Sequence, residues 1–276
     1  MDAQDGRERW AVDVVQEFRG RVITWGLSEC LLVDGPRLIV TPGGQRALMA
    51  ALDKLTGRTL WTTEPIAADF VTHSSPILFQ CGARRVLASC SSGHGFGVDA
   101  DTGRLLWTVP LRNQYDTNVA TPVCGAGRIF YVTAYSGGAC YRLLPDALGI
   151  AAEKVWGTSL ETCTGAVLFV DGVLYGSGYR KHKSWLCLDW STGQTRYESK
   201  ELTTGAAVYA DGHLYCLAEN GRAALLKPTA TTFEVAGQLP LVSDRVHDAW
   251  AHPVLLDGRL YLRYHDTLWC YDVRGK

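Results

Sequence analysis

The stretch Leu52-Asp53-Lys54-Leu55-Thr56-Gly57-Arg58-Thr59-Leu60-Trp61 restricts the fold most, because it recurs. It reads as strand, tight turn, strand. Gly57 supplies the positive φ that the turn needs. The Asp53 carboxylate can accept hydrogen bonds from the turn amides. Further copies run Asp2-Ala3-Gln4-Asp5-Gly6…Trp10, Asp99-Ala100-Asp101-Thr102-Gly103…Trp107 and Asp189-Trp190-Ser191-Thr192-Gly193…Tyr197. A degenerate copy spans Pro145 to Trp156, the weakest spans Pro228 to Val235, and Tyr271-Asp272-Val273-Arg274-Gly275 starts another.

A second signal sits between these copies. It is an apolar strand, a glycine turn and a strongly β-prone strand, with the turns at Asp34-Gly35, Cys81-Gly82, Cys124-Gly125, Asp171-Gly172, Asp211-Gly212 and Asp257-Gly258. Each unit then holds four short strands, a to d, ending near the aromatic residue. Four-stranded units repeating every 40–50 residues or so are the signature of a β-propeller. The chain is therefore expected to be all-β, one propeller domain over 1–276 with six four-stranded antiparallel blades. The blades are roughly 22–63, 70–110, 117–158, 162–200, 203–238 and 246–276. The sixth lacks a strand d. The segment Arg7 to Val15 is expected to complete it, closing the ring and removing two exposed sheet edges.

Composition narrows the partners. With 27 basic and 28 acidic residues, nothing favours nucleic acid or a membrane surface. No segment is long and apolar enough to span a bilayer. The polar opening Met1-Asp2-Ala3-Gln4-Asp5-Gly6-Arg7 is not a signal peptide. The nine cysteines form no CxxC pair, and buried free thiols are expected. A monomer is expected.

The pattern Ala-Leu-Asp-x-x-Thr-Gly-x-x-x-Trp around Trp61 resembles the repeat of the pyrroloquinoline-quinone-like, or quinoprotein-type, β-propeller family. Trp25-Gly26-Leu27-Ser28-Glu29, Val40-Thr41-Pro42-Gly43-Gly44, Trp250-Ala251-His252-Pro253 and the closing Asp266 to Val273 carry the same likeness. Members are typically eight-bladed and exported, to the periplasm or cell envelope, and this chain resembles their last six blades. The resemblance implies that Trp10, Trp61, Trp107 and Trp156 dock one blade against the next, over small residues of strand c. Those are Ala51, Gly97, Cys140 and Cys187, with Cys270 in blade six. The family includes quinone-dependent dehydrogenases and non-catalytic members, so the repeat alone does not imply a cofactor.

A quinone site would need Glu, Asn and Asp ligands for calcium, an Asp base and a ring of adjacent cysteines. This chain has no Cys-Cys pair, and no companion motif fixes Asn113 or Asn118. No cofactor is expected; the alternative is pyrroloquinoline quinone with calcium, in a dehydrogenase or its remnant. No catalytic residue and no metal ligand is assigned.

The expected site is positional. Residues leading into strand a line a propeller's channel mouth. Here those lead-in segments are polar: Trp25 to Glu29, Thr72 to Ser75, Asp116 to Asn118, Glu161 to Thr164, Thr203-Thr204 and Asp248 to His252. They supply Trp25, Glu29, His73, Asn118, Trp250 and His252, a set suited to a protein segment or a small polar ligand. The plainer reading is that these groups hydrogen-bond each other and channel water. The expected function is thus a non-catalytic binding or scaffold module.

Four other motifs have ordinary readings. Gly93-His94-Gly95-Phe96-Gly97 imitates a nucleotide loop, but a strand follows it, so a b–c turn is expected. Asp99-Ala100-Asp101 lacks the rest of an EF-hand and reads as a turn cap. Arg180-Lys181-His182-Lys183 is a basic run on a b–c loop, either solvated or a docking patch for an acidic partner. His265-Asp266 resembles a catalytic dyad, but no Gly-x-Ser-x-Gly elbow accompanies it.

Overall fold

The computed structural model describes residues 1–2, 4–165 and 167–275. Six antiparallel sheets follow one another along the chain, each made from consecutive strands. The first holds β1 (Leu32–Asp34), β2 (Arg37–Val40), β3 (Ala50–Asp53) and β4 (Thr59–Thr62). The second holds β5 (Ile77–Cys81), β6 (Arg84–Cys90), β7 (His94–Asp99) and β8 (Leu105–Pro110). The third holds β9 (Val123–Gly125), β10 (Arg128–Thr133), β11 (Gly137–Pro145) and β12 (Ile150–Thr158). The fourth holds β13 (Val167–Val170), β14 (Val173–Ser177), β15 (Trp185–Asp189) and β16 (Thr195–Ser199). The fifth holds β17 (Gly205–Ala210), β18 (His213–Ala218), β19 (Arg222–Pro228) and β20 (Phe233–Pro240). The sixth has three strands, β21 (Val254–Leu256), β22 (Arg259–Tyr264) and β23 (Thr267–Asp272). This is the blade organisation the repeats imply.

The chain forms two compact units, Met1–Thr133 with Tyr141–Lys154, and Ala134–Cys140 with Val155–Lys276. In the first, a core cluster joins Ile39, Met49 and Ala51 of the first blade to Leu87, Phe96 and Val98 of the second. In the second, one cluster joins Trp185 and Cys187 of the fourth blade to Leu214, Cys216 and Phe233 of the fifth. Another joins Leu217 and Ala223 of the fifth to Leu262 and Tyr264 of the sixth. The apolar side chains thus bury between blades, each worth about 1.5–3 kcal/mol.

The repeated turn works as its residues suggest. Asp53 Oδ1 accepts from Leu55 N at 3.0 Å and Thr56 N at 2.8 Å, and Asp99 and Asp189 repeat the arrangement. Gly57, Gly103 and Gly193 take φ of 74°, 78° and 75°. Within a blade the aromatic residue lies opposite the small residue of strand c, in the registers Ala51↔Trp61, Gly97↔Trp107 and Cys187↔Tyr197. Its indole also covers the turn glycine of the following copy. A Cβ on Gly57 would stand 2.5 Å from Trp10 Cε3, and one on Gly103 2.7 Å from Trp61 Cε3. The degenerate copy has no such glycine; there Arg84 and Arg104 donate instead to the carbonyls of Ala147 and Leu148.

The structure corrects three expectations. Arg7 to Val15 is not a strand: the segment runs irregularly into α1 (Val14–Glu17), capped by Asp13, and its Trp10 donates to Lys54 O at 3.2 Å. Docking onto the first blade holds it, so it adds no strand. The turn of the third blade is Ala126-Gly127, both at positive φ, while Gly125 ends β9 opposite Arg128. The two glycines are two residues apart, and a shift by two leaves every side chain on its face. Finally, the cysteines divide. Cys81, Cys90, Cys140, Cys187 and Cys216 are buried free thiols, whereas Cys30 and Cys270 are exposed. Burial pushes the Cys90 thiol up to about 12. No helix among the described residues is long and apolar enough to cross a membrane.

Candidate functional site

Four expected site residues, Trp25, Glu29, His73 and Asn118, lie in the first compact unit, and Trp250 and His252 in the second. In the first, the lead-in segments are stitched in order. Ser28 Oγ meets His73 Nδ1 at 3.0 Å, and Cys30 N donates to Ser75 Oγ at 2.9 Å. His73 N donates to Asn118 O at 3.1 Å, and Ser74 Oγ to Ala120 O at 3.2 Å. Asn118 is fully buried and donates through Nδ2 to Ser91 O at 2.6 Å and Leu111 O at 2.9 Å. It is a clamp between segments. Glu29 Oε1 accepts from Thr41 N at 2.8 Å, while Oε2 is buried without a hydrogen bond. Burial raises its pKa, against the opposing bond from the Thr41 amide. Burial also lowers that of His73. Trp25 is 64% exposed.

In the second unit, the fourth and sixth lead-in segments meet. His252 Nε2 lies 3.0 Å from Thr164 O, and Thr164 Oγ1 donates to Glu219 Oε1 at 3.0 Å. Backbone bonds seat the carboxylate: Glu219 N donates to Thr204 O, and Ala249 N to Glu219 O. Burial raises the Glu219 pKa, against the bond from Thr164. Crowding lowers that of His252, although its ring reaches solvent. Trp250 is 56% exposed.

Sequence reasoning missed Glu219 and the role of Glu161. Glu219 follows an apolar run and precedes an Asn-Gly turn, where a carboxylate ordinarily faces water. Glu161 has no exposed surface. Its carboxylate accepts backbone N–H groups from Tyr135 at 2.9 Å, Arg180 at 2.5 Å and Lys181 at 2.7 Å. The only sequence signal was a carboxylate directly after the buried Leu160.

The other motifs resolve as architecture. Of the glycine-rich segment expected as a b–c turn, only Gly93 lies in the turn from β6, and His94 to Gly97 already belong to β7; Asp69 holds the turn, accepting from Ser91 Oγ at 2.5 Å and pairing with His94 Nδ1 at 2.8 Å. Asp99 caps its turn, and Asp101 pairs with Arg37 and Arg85. His265 sits 3.4 Å from Asp266 on an exposed turn and stacks on His247 at 4.1 Å. Two shallow hollows, about 370 Å³ beside Arg259 and Arg274 and about 420 Å³ beside Asp13 and Arg46, are lined by none of the six expected site residues.

Two donors of the kind a calcium–quinone site would draw on are engaged within the fold. Asn113 Oδ1 accepts from Tyr115 N, its Nδ2 donates to Thr133 Oγ1, and Glu161 is committed to backbone amides. Among the described residues, no three His, Cys, Asp or Glu side chains are grouped to hold a metal ion.

Comparison with known proteins fixes the family. The family model described as outer membrane protein assembly factor BamB matches residues 1–198. The chain belongs to the BamB family. No curated protein sequence matches it. Among solved structures, BamB from Moraxella catarrhalis aligns with a TM-score of 0.61 at 14% identity, over 87% of this chain and 67% of that one. The quinohemoprotein alcohol dehydrogenase from Comamonas testosteroni aligns with a TM-score of 0.61 at 15% identity, over 86% of this chain. This BamB-family chain spans 51% of that dehydrogenase. A computationally designed protein, Ika8, also aligns, with a TM-score of 0.61 at 14% identity, over 90% of this chain and 73% of that one. These likenesses establish the β-propeller fold.

Proposed function

We propose that the chain is a non-catalytic binding propeller. It recognises a protein segment or a small polar ligand with the residues leading into its a strands. The observation that carries this reading is Trp250, which is 56% exposed on a lead-in segment that Ala249 N ties to Glu219 O. In the same segment His252 is hydrogen-bonded to Thr164 O, and Thr164 to Glu219. Such a site offers apolar area on a fixed base and leaves no activated nucleophile. Exposed, held tryptophans are typical binding hot spots. Trp25 offers the same kind of surface in the other unit. The family description concerns assembly of outer membrane proteins, which supports protein partners and an envelope location.

Labelling with 5-fluorotryptophan tests the reading, since nine tryptophans give nine fluorine resonances. In a peptide screen, binders should shift the Trp250 or Trp25 signal and leave that of the buried Trp107 in place. Trp250→Ala or His73→Ala should weaken capture with little change in melting temperature. Loss of folding in both variants would make these residues structural and remove the proposal.

A further inference from the structure

Glu161 organises two loops of the second compact unit at once. Its Oε2 accepts from the amide of Tyr135, which sits at φ 66° in the turn after β10. Its Oε1 accepts from Tyr179 at 3.3 Å, from Arg180 and from Lys181, in the loop after β14. Hydrogen bonds to an ionised carboxylate are roughly twice as strong as neutral ones. This buried anion therefore fixes the backbone of the chain's densest basic run, Arg180-Lys181-His182-Lys183.

The outer face of the clamp is ordered too. The Arg180 guanidinium lies 4.7 Å from the Tyr179 ring centroid and donates to Tyr179 Oη at 3.2 Å. The Tyr179 ring meets Tyr135 edge to face at 5.8 Å. Arg180, Lys181 and Lys183 are exposed. Among the described residues none of the three pairs with a carboxylate, whereas Arg196 and Arg245 of the same unit do. Three cations are thus displayed without an ion-pair partner, on a backbone that does not need to be ordered on binding.

We propose that this patch docks a carboxylate-bearing peptide segment of another protein. Arginine held flat against a ring is preorganised to take a carboxylate through two parallel N–H groups. Tyrosines add contact area at low entropic cost, and the prior ordering of both loops lowers the cost of association. Phosphate fits less well. The loop amides that would cradle it already point inward to Glu161. A bilayer fits less well because the patch offers two tyrosines and cations, with no aliphatic side chain to insert.

The inference deepens the binding-module reading by naming a partner chemistry, on residues separate from Trp250 and His252. Isothermal titration of the whole chain with a capped octapeptide of alternating Glu and Ala tests it. Saturable binding is expected, weakening as salt rises, with none to the Gln-Ala counterpart. Arg180→Gln should weaken it about tenfold, Lys181→Gln with Lys183→Gln should act in the same direction, and Lys200→Gln, an exposed cation of the same unit outside the patch, should leave it unchanged. Because these are surface changes, an unaltered melting temperature should accompany them. No saturable binding, or binding indifferent to Arg180→Gln, overturns the proposal. So does inorganic phosphate, or vesicles containing phosphatidylglycerol, binding in its place with the same dependence on Arg180. Loss in Trp250→Ala with retention in Arg180→Gln would remove this patch and keep the binding reading. Loss in Arg180→Gln with retention in Trp250→Ala keeps the patch and leaves the Trp250 site to the fluorine-shift screen.

Discussion

The indole of Trp156 rests on the α-carbon of Gly193, so closely that a Cβ there would stand 2.5 Å from Cε3. Trp156 Nε1 donates to Trp190 O at 3.0 Å in the same turn. Trp10 on Gly57 and Trp61 on Gly103 repeat the contact. The tryptophan ending one copy and the Thr-Gly turn of the next are therefore two halves of a single joint. A turn glycine and an aromatic residue recur together because neither is useful without the neighbouring copy.

Gly193→Ala should accordingly destabilise by more than Gly172→Ala. Both positions have positive φ, 75° and 79°, which costs an L residue about 1–2 kcal/mol. Only at Gly193 would the methyl also strike an indole, adding about 1–3 kcal/mol for overpacking. Space around Gly172 is open. Urea unfolding of the two variants measures the difference, and equal losses would count against the joint.

Trp107→Ala should cost about 3–5 kcal/mol. Its ring is 6% exposed, lies against Gly97, and donates through Nε1 to Tyr131 Oη at 3.3 Å. Equilibrium unfolding is again the check, and a near-neutral result would contradict the docking role.

The part of this architecture legible in the sequence was the part written locally. Asp53, Thr56 and Gly57 cap and bend their own backbone, so their recurrence gave the blades directly. Trp25, Glu29, His73, Asn118, Trp250 and His252 were chosen by position alone, and within each unit their segments hydrogen-bond their neighbours. What each side chain does there was not legible. Asn118 and Glu161 look like available polar groups in a string of letters. Burial turns them into clamps on loops distant in sequence. The N-terminal segment was misread because a turn followed by a tryptophan does not distinguish a strand from an irregular segment docked on the first blade.

Glu161→Gln should loosen both loops it holds. A neutral amide keeps the shape but loses the charge-assisted bonds, at a cost of about 3 kcal/mol for a buried carboxylate serving several donors. Amide hydrogen exchange at Tyr135, Arg180 and Lys181 should accelerate strongly, while exchange within β18 and β19 stays slow. Unchanged protection at the three amides would remove the clamp.

Acid should act on the turns before it acts on the core. The Arg196 guanidinium, with help from Ser191, holds the Asp189 carboxyl well below its ordinary 3.8. Its contribution is therefore present above about 3.8 and lost as pH falls through the lower folded value. Asp189→Asn should flatten the loss of stability below pH 3.8 in urea titrations. Glu219 has the opposite sign, since burial raises its pKa above the ordinary 4.5. Its contribution is full below that value and declines as pH rises through the folded pKa. Glu219→Gln should remove that decline.

The most direct test of a binding role against a quinone-dependent one is a titration of the chain with pyrroloquinoline quinone in excess calcium, read by absorbance and by dye reduction with alcohols and sugars. With Asn113 and Glu161 committed to the fold, the account predicts no saturable chromophore and no dye reduction. A saturable quinone spectrum with substrate-dependent dye reduction would contradict it.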